Sequence, residues 1–164
     1  MQTVHVFDIA TNTWFAQSTT AQTELYPTSR QSFCAVVASA SDNSSHNIYI
    51  YGGWDPVTGT VRGDVFILTL PAFHWVLAFP LAKDAYDTNI RQSATHKCQT
   101  IYEKYMVSHL GWQGGCDRYD KRFWGMAIYD MSSLTWTTKV ELENSKYLVP
   151  EVLYGVIGGK LVPL

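Results

Sequence analysis

Short apolar runs alternate with polar turns along the chain, and the runs have the length and pattern of β-strands. Val4-His5-Val6-Phe7-Asp8 alternates loosely and predicts one strand. A polar link, Ala10 to Thr13, leads to a second at Trp14-Phe15-Ala16. The same strand–turn–strand layout recurs at Val65–Leu70 with Trp75–Phe79, and at Met126–Asp130 with Trp136–Val140. Asp8, Thr69 and Asp130 each stand six residues before their tryptophan. Between these hairpins lie further strands. Phe33 to Ala38 is small and apolar throughout, which predicts a strand buried on both faces. Ile48–Tyr51 follows, closed by Gly52-Gly53, a pair suited to a sharp exit or to close approach of a neighbouring backbone. A long loop, Trp54 to Gly63, delivers the chain to Asp64–Leu70. The second copy runs through Ala94–Tyr102 and Tyr105–Leu110 to a single Gly111, then Trp112 and the charged, aromatic loop Gln113–Trp124.

One offset relates the copies. Moving 61 positions takes Arg30-Gln31-Ser32 to Arg91-Gln92-Ser93, and Trp75 forward to Trp136 or back to Trp14. A fixed period of this size is the signature of a repeat architecture. The pattern predicts an all-β chain of four-stranded antiparallel blades: the outer half of a blade at 1–17, whole blades at 30–79 and 91–141, and a C-terminal tail at 142–164. Residues 18–29 read as a loop between blades, and Lys139 as an exposed edge position. In the tail, Pro150-Glu151 followed by Gly158-Gly159 predicts a short helix or turn. Propellers close with roughly four to eight blades, so two and a half predict an open piece of a larger object. A chain beginning at once with a strand predicts the same.

These markers resemble kelch repeats, whose four-stranded blades carry a di-glycine after the second strand and a tryptophan in the fourth. The resemblance covers roughly residues 1–141; Gly52-Gly53 with Trp75 fits well, and Gly111 with Trp136 departs by one glycine. Phe33-Cys34, the run Ser44 to Gly53, and Val149-Pro150 to Gly158-Gly159 resemble a group of fungal kelch proteins with galactose-oxidase-like propellers. That resemblance implies a partial kelch-type β-propeller at the outside of a cell, with a membrane span following.

Composition narrows the function classes. Hydrophobic residues make up 46% and charged residues 16%, enough for a packed core. A net charge of -2 argues against a nucleic-acid partner. No apolar run reaches the ~18 residues of a bilayer span, and the N-terminus lacks the features of a signal peptide. Asn43-Ser44-Ser45 is a glycosylation triplet that matters only in a secretory context.

The candidate chemistry is sparse. His96, Cys98, His109 and Cys116 have the ligand types of a zinc site but lack the Cys-x-x-Cys grip, so no metal and no cofactor is expected. A disulfide between Cys98 and Cys116 reads better. It would close a loop of about 18 residues, for on the order of 3 kcal/mol, leaving Cys34 as a small buried hydrophobe. A copper-radical oxidase would need a constellation of tyrosines, histidines and a cross-linked cysteine that no residue set here matches. Tyr49, Tyr51 and Tyr129 read as core. Asp117, Arg118, Asp120, Lys121 and Arg122 read as a solvated loop or a binding edge. Trp14, Trp75 and Trp136 read as wedges between blades. Trp54, Trp112 and Trp124 fall in or beside loops, where aromatics either stack on sugars and peptides or cap the core. Alternate loops of a blade share a face. The loops Gln17–Ser29, Trp54–Arg62, Leu81–Ile90 and Gln113–Phe123 are therefore expected together, with Arg30 and Arg91 at the mouth of a central channel. Two such guanidinium forks would hold a carboxylate or sulfate, unless each pairs with a local acid such as Asp55, Asp84 or Asp87. The expected function is a non-catalytic module binding a protein or glycan on that face; the alternatives are a piece of a propeller-type oxidoreductase or a purely structural surface domain.

Overall fold

The computed structural model describes residues 1–80, 92–112, 125–142 and 146–157. Three sheets are built from β1 (Thr3–Asp8), β2 (Thr13–Ser18), β3 (Thr20–Ala21), β4 (Cys34–Ser39), β5 (His46–Tyr51), β6 (Val65–Leu70), β7 (His74–Phe79), β8 (Lys97–Ile101), β9 (Tyr105–His109), β10 (Met126–Asp130) and β11 (Thr135–Thr137). β1 and β2 form a hairpin, β4 to β7 a four-stranded meander, and β8 to β11 a second meander. The expected strands are there. The aspartate of the hairpin marker has a local cause. Asp8 Oδ1 accepts the Ala10 N–H at 2.8 Å, and Asp130 Oδ1 accepts the N–H groups of Ser132 and Ser133 at 2.8 and 3.1 Å. Each carboxylate thus folds its turn and places the tryptophan opposite on the next strand.

The β5–β7 part of the first meander is buried on both faces because two apolar sets alternate along it. Tyr49, Tyr51, Val65 and Ile67 face a core shared with Met106 and Tyr129 of the second meander. Ile50, Phe66, Leu68 and Trp75 face Met1, Val4 and Tyr26 on the other side. Trp136 stands between the meanders, its ring edge-on to Tyr51, Phe79 and Tyr129 at 4.8, 6.2 and 5.0 Å. Trp75 is buried in the same manner beside the N-terminal hairpin, and its Nε1 donates to the Met1 carbonyl at 3.1 Å. Trp14 departs from the expectation. It is 67% exposed and its ring meets Phe7 at 5.0 Å, with no described sheet on its other side.

Other departures also have physical reasons. Phe33 to Ala38 is not buried on both faces: Cys34, Val36 and Ala38 point into the core while Val37 is 51% exposed. The first strand of a meander has only one sheet face covered. The segment 18–29 is not simply a loop, since β3 adds to β7 in parallel, outside the antiparallel meander. The last strand ends at Thr137 rather than Val140, so exposed Lys139 lies beyond it. In the tail, α1 (Glu151–Ile157) forms where proline and an acid open a helical turn. Leu153 is fully buried in the shared core, and Tyr147 anchors the approach through 2.9 Å to the Tyr49 hydroxyl and 3.1 Å from Asn47 Nδ2. Burial pushes the Tyr147 phenol up to about 12 and raises that of Tyr49 well above its ordinary value.

Candidate functional site

The loops that leave β5 and β9 define one end of the molecule. Gly52 and Gly53 both have positive φ, at 65° and 101°. Their second property is lack of bulk. A Cβ on Gly52 would run into the Ser93 carbonyl and come within 2.9 Å of His96 Cε1, and one on Gly111 would strike the Ser93 hydroxyl. The segment Ser93–His96, which enters the second meander, is thus clamped between the glycines of the two sheets. Gly53 N–H donates to Ser93 O at 2.7 Å, Ser93 N–H to Arg62 O at 3.0 Å, and Thr95 N–H to Ser32 O at 2.9 Å. The pair of glycines is explained by close approach of a neighbouring backbone.

Just beyond the glycines the two tryptophans take matching positions. Trp54 and Gln31 exchange both backbone hydrogen bonds at 2.8 and 2.9 Å, as do Trp112 and Ala94. Trp54 is half-buried, whereas Trp112 is 43% exposed. The Trp54 loop is held by Asp55, which accepts N–H groups of Val57 and Thr58 and pairs with Arg62 at 2.9 Å. Those donors, the Val57 N–H first and the Arg62 guanidinium next, pull the Asp55 carboxyl down to about 2.

Arg30 offers no free guanidinium fork. Its guanidinium is fully buried, sits over the Phe66 ring at 5.5 Å, and binds both oxygens of Asp64 at 2.5 and 3.0 Å. It also donates to the Gly52 carbonyl at 3.1 Å. A guanidinium so occupied has no fork left for a ligand, and the arginine pins the Gly52 loop to the start of β6. Among the described residues its partner is Asp64, not Asp55; Asp84 and Asp87 lie outside them. Arg91, Asp117, Arg118 and Trp124 lie outside the described residues, so besides Arg30 the expected binding residues whose positions are seen are Trp54 and Trp112.

The cysteines also differ from expectation. Cys34 of β4 and Cys98 of β8 form a disulfide with Cα atoms 5.6 Å apart. Cys98 is therefore not available to Cys116, which lies outside the described residues, and Cys34 is more than a small buried hydrophobe. The bond joins the first strands of the two meanders, which run side by side. Both cysteines stand near the start of the first strand of their meander, three positions off the 61-residue offset, which takes Cys34 to Thr95. His96 lies beside the bond, and one ligand atom from each of Cys34, His96 and Cys98 falls within 4.8 Å of the others. With the sulfurs bonded to one another they are not thiolate ligands. His96 itself is 5% exposed, and its ring stands edge-on to Tyr51 at 4.8 Å. Burial holds its pKa down to about 4, with a smaller upward pull from the Tyr51 backbone, so the ring is neutral at ordinary pH.

The antiparallel meanders, each with glycine after its second strand and tryptophan in its fourth, define a kelch-like β fold. Comparison with known proteins agrees. The chain is 30% identical over 185 aligned positions to a kelch repeat-containing protein of Arthroderma benhamiae, an alignment covering 97% of this chain. The chain spans 26% of that relative's length. No family model matches the chain.

Proposed function

We propose that the chain is part of a larger kelch-type β-propeller at the cell surface, serving as a non-catalytic module that binds a protein or glycan through its loop face. On this reading the two meanders are whole blades, β1–β2 is the outer half of another, and further blades cover Trp14. The observation that carries the binding role is Trp112: an exposed aromatic on a backbone pinned to Ala94 by two hydrogen bonds. A large ring held rigidly at a loop edge loses little freedom when a sugar or peptide stacks on it. Trp54 occupies the matching place on the neighbouring sheet, and Arg91, Asp117, Arg118 and Trp124 complete the proposed binding set. The Cys34–Cys98 bond supports an oxidising compartment.

The test is a glycan array and a peptide pull-down with the full-length protein and its Trp112→Ala variant. Loss of the captured ligand at unchanged melting temperature is the expected result. Unchanged capture, with a lowered melting temperature, would make Trp112 a cap on the core and remove the support for this face.

A further inference from the structure

The β4–β5 hairpin ends in a tip, residues 40–45, on which the binding reading makes no demand. The tip is closed by Ala40 N–H to Ser45 O at 2.9 Å and Asn43 N–H to Ala40 O at 2.9 Å. Ser39 and His46 join their side chains across its base at 2.8 Å. Asp42 Oδ1 accepts the Ser44 N–H at 2.9 Å, so the residue before Asn43 shapes the turn. Asn43 occupies the left-handed position, φ 57°, which asparagine tolerates better than most residues. It is exposed, and its side-chain amide has no hydrogen bond among the described residues.

We propose that Asn43 carries an N-linked glycan. Three separate facts meet at this residue. Asn43-Ser44-Ser45 has the acceptor spacing. The fold leaves the amide nitrogen in solvent at the apex of a turn, where a bulky group displaces nothing. The Cys34–Cys98 bond, 64 residues apart in sequence, is chemistry of the same oxidising lumen in which the modification is made. The strand register adds a fourth. β4 runs from the end bearing Gln31 and Trp54 down to the tip. A glycan on Asn43 therefore projects from the end opposite Trp54 and Trp112. It leaves the loop face open and stays clear of the surfaces where sheets meet.

Timing follows from Ser45. Its side chain is fully buried, with the hydroxyl 3.5 Å from Asn47 Nδ2. An enzyme that must read the hydroxyl at the third position of the triplet finds it only before the hairpin closes. Transfer thus takes place on the unfolded chain. The Asn43 amide nitrogen loses one proton and bonds to the anomeric carbon of a lipid-linked oligosaccharide, whose pyrophosphate leaves with the broken C–O bond.

The proposal shares its compartment with the cell-surface reading, and the experiment separates the two. The natural full-length protein, purified from its source, is treated with an amidase that releases N-glycans in heavy-oxygen water. It is then digested, without reduction, for peptide mapping. The expected result is conversion of Asn43 to a heavy-oxygen-labelled aspartate, with Cys34 and Cys98 still linked. Asn43→Gln should remove the label and leave ligand capture of the deglycosylated protein unchanged, with a small fall in melting temperature because glutamine tolerates the left-handed backbone less well. An unlabelled Asn43 with the disulfide intact overturns this proposal alone. An unlabelled Asn43 with both thiols free overturns it together with the cell-surface reading.

Discussion

Two glycines offer a controlled measure of how tightly the meanders meet. Gly52 and Gly59 have nearly the same φ, 65° and 70°, yet a Cβ on Gly59 meets nothing within 4 Å. Gly59→Ala therefore reports the left-handed strain by itself, about 1 kcal/mol. Gly52→Ala carries that strain and also drives a methyl into the Ser93 carbonyl, a backbone atom with no flexible end to swing away. Relief requires the Ser93 segment to withdraw. That loosens the hydrogen bonds of Gly53 to Ser93 and of Ser93 to Arg62, 2.7 and 3.0 Å long, each with a net value of about 1 kcal/mol. Overpacking around His96 adds roughly 1 kcal/mol or more. The expected total is about 4 kcal/mol for Gly52→Ala against about 1 for Gly59→Ala. With a urea dependence of about 2 kcal/mol per molar, the midpoints should separate by roughly 1.5 M. Urea unfolding of the oxidised protein, followed by tryptophan fluorescence, is the assay. Equal midpoints for the two variants would show that the glycine is demanded by its φ alone and that the seam through Ser93 does not form.

Other perturbations test the neighbouring contacts. Asp64→Ala leaves the buried Arg30 guanidinium without its carboxylate and should cost about 3 kcal/mol or more in the same assay; a loss below about 1 kcal/mol would place the pair in solvent. Replacing Cys34 and Cys98 together by alanine opens a 64-residue span and should lower stability by about 4 kcal/mol on the chain-entropy account, whereas Cys116→Ala should leave that bond and most of the stability in place. Asp55 has a folded pKa depressed from 3.8 to about 2. Its contribution is therefore complete above 3.8 and lost as pH falls through about 2. Acid unfolding of Asp55→Asn should be flatter than that of the parent across that window, and identical curves would refute the assignment.

The sequence alone determined the repeat, the strands and their order, because turn chemistry and apolar alternation act over a few residues and leave their period in the chain. Asp8 and Asp130 fold their turns with groups two and three positions away, and Trp75 and Trp136 stand where those turns put them. Gly52-Gly53 could be read as a place of close approach, but what approaches could not. Ser93 is far off in sequence, and only the docking of one meander on the other brings it there. The same holds for Arg30: its charge and period suit a ligand fork as well as a structural pin, and the fold chose by burying it against Asp64. In sequence, Cys98 reads as the partner of Cys116 across a loop of about 18 residues. The side-by-side first strands instead brought it to Cys34. Which face of β4 is covered and what leaves Trp14 bare are likewise decided by neighbours in space. Local patterns encode elements, whereas partners are set by how the elements stack, because a side chain's chemistry is the same in either setting until burial removes its water and supplies a specific neighbour.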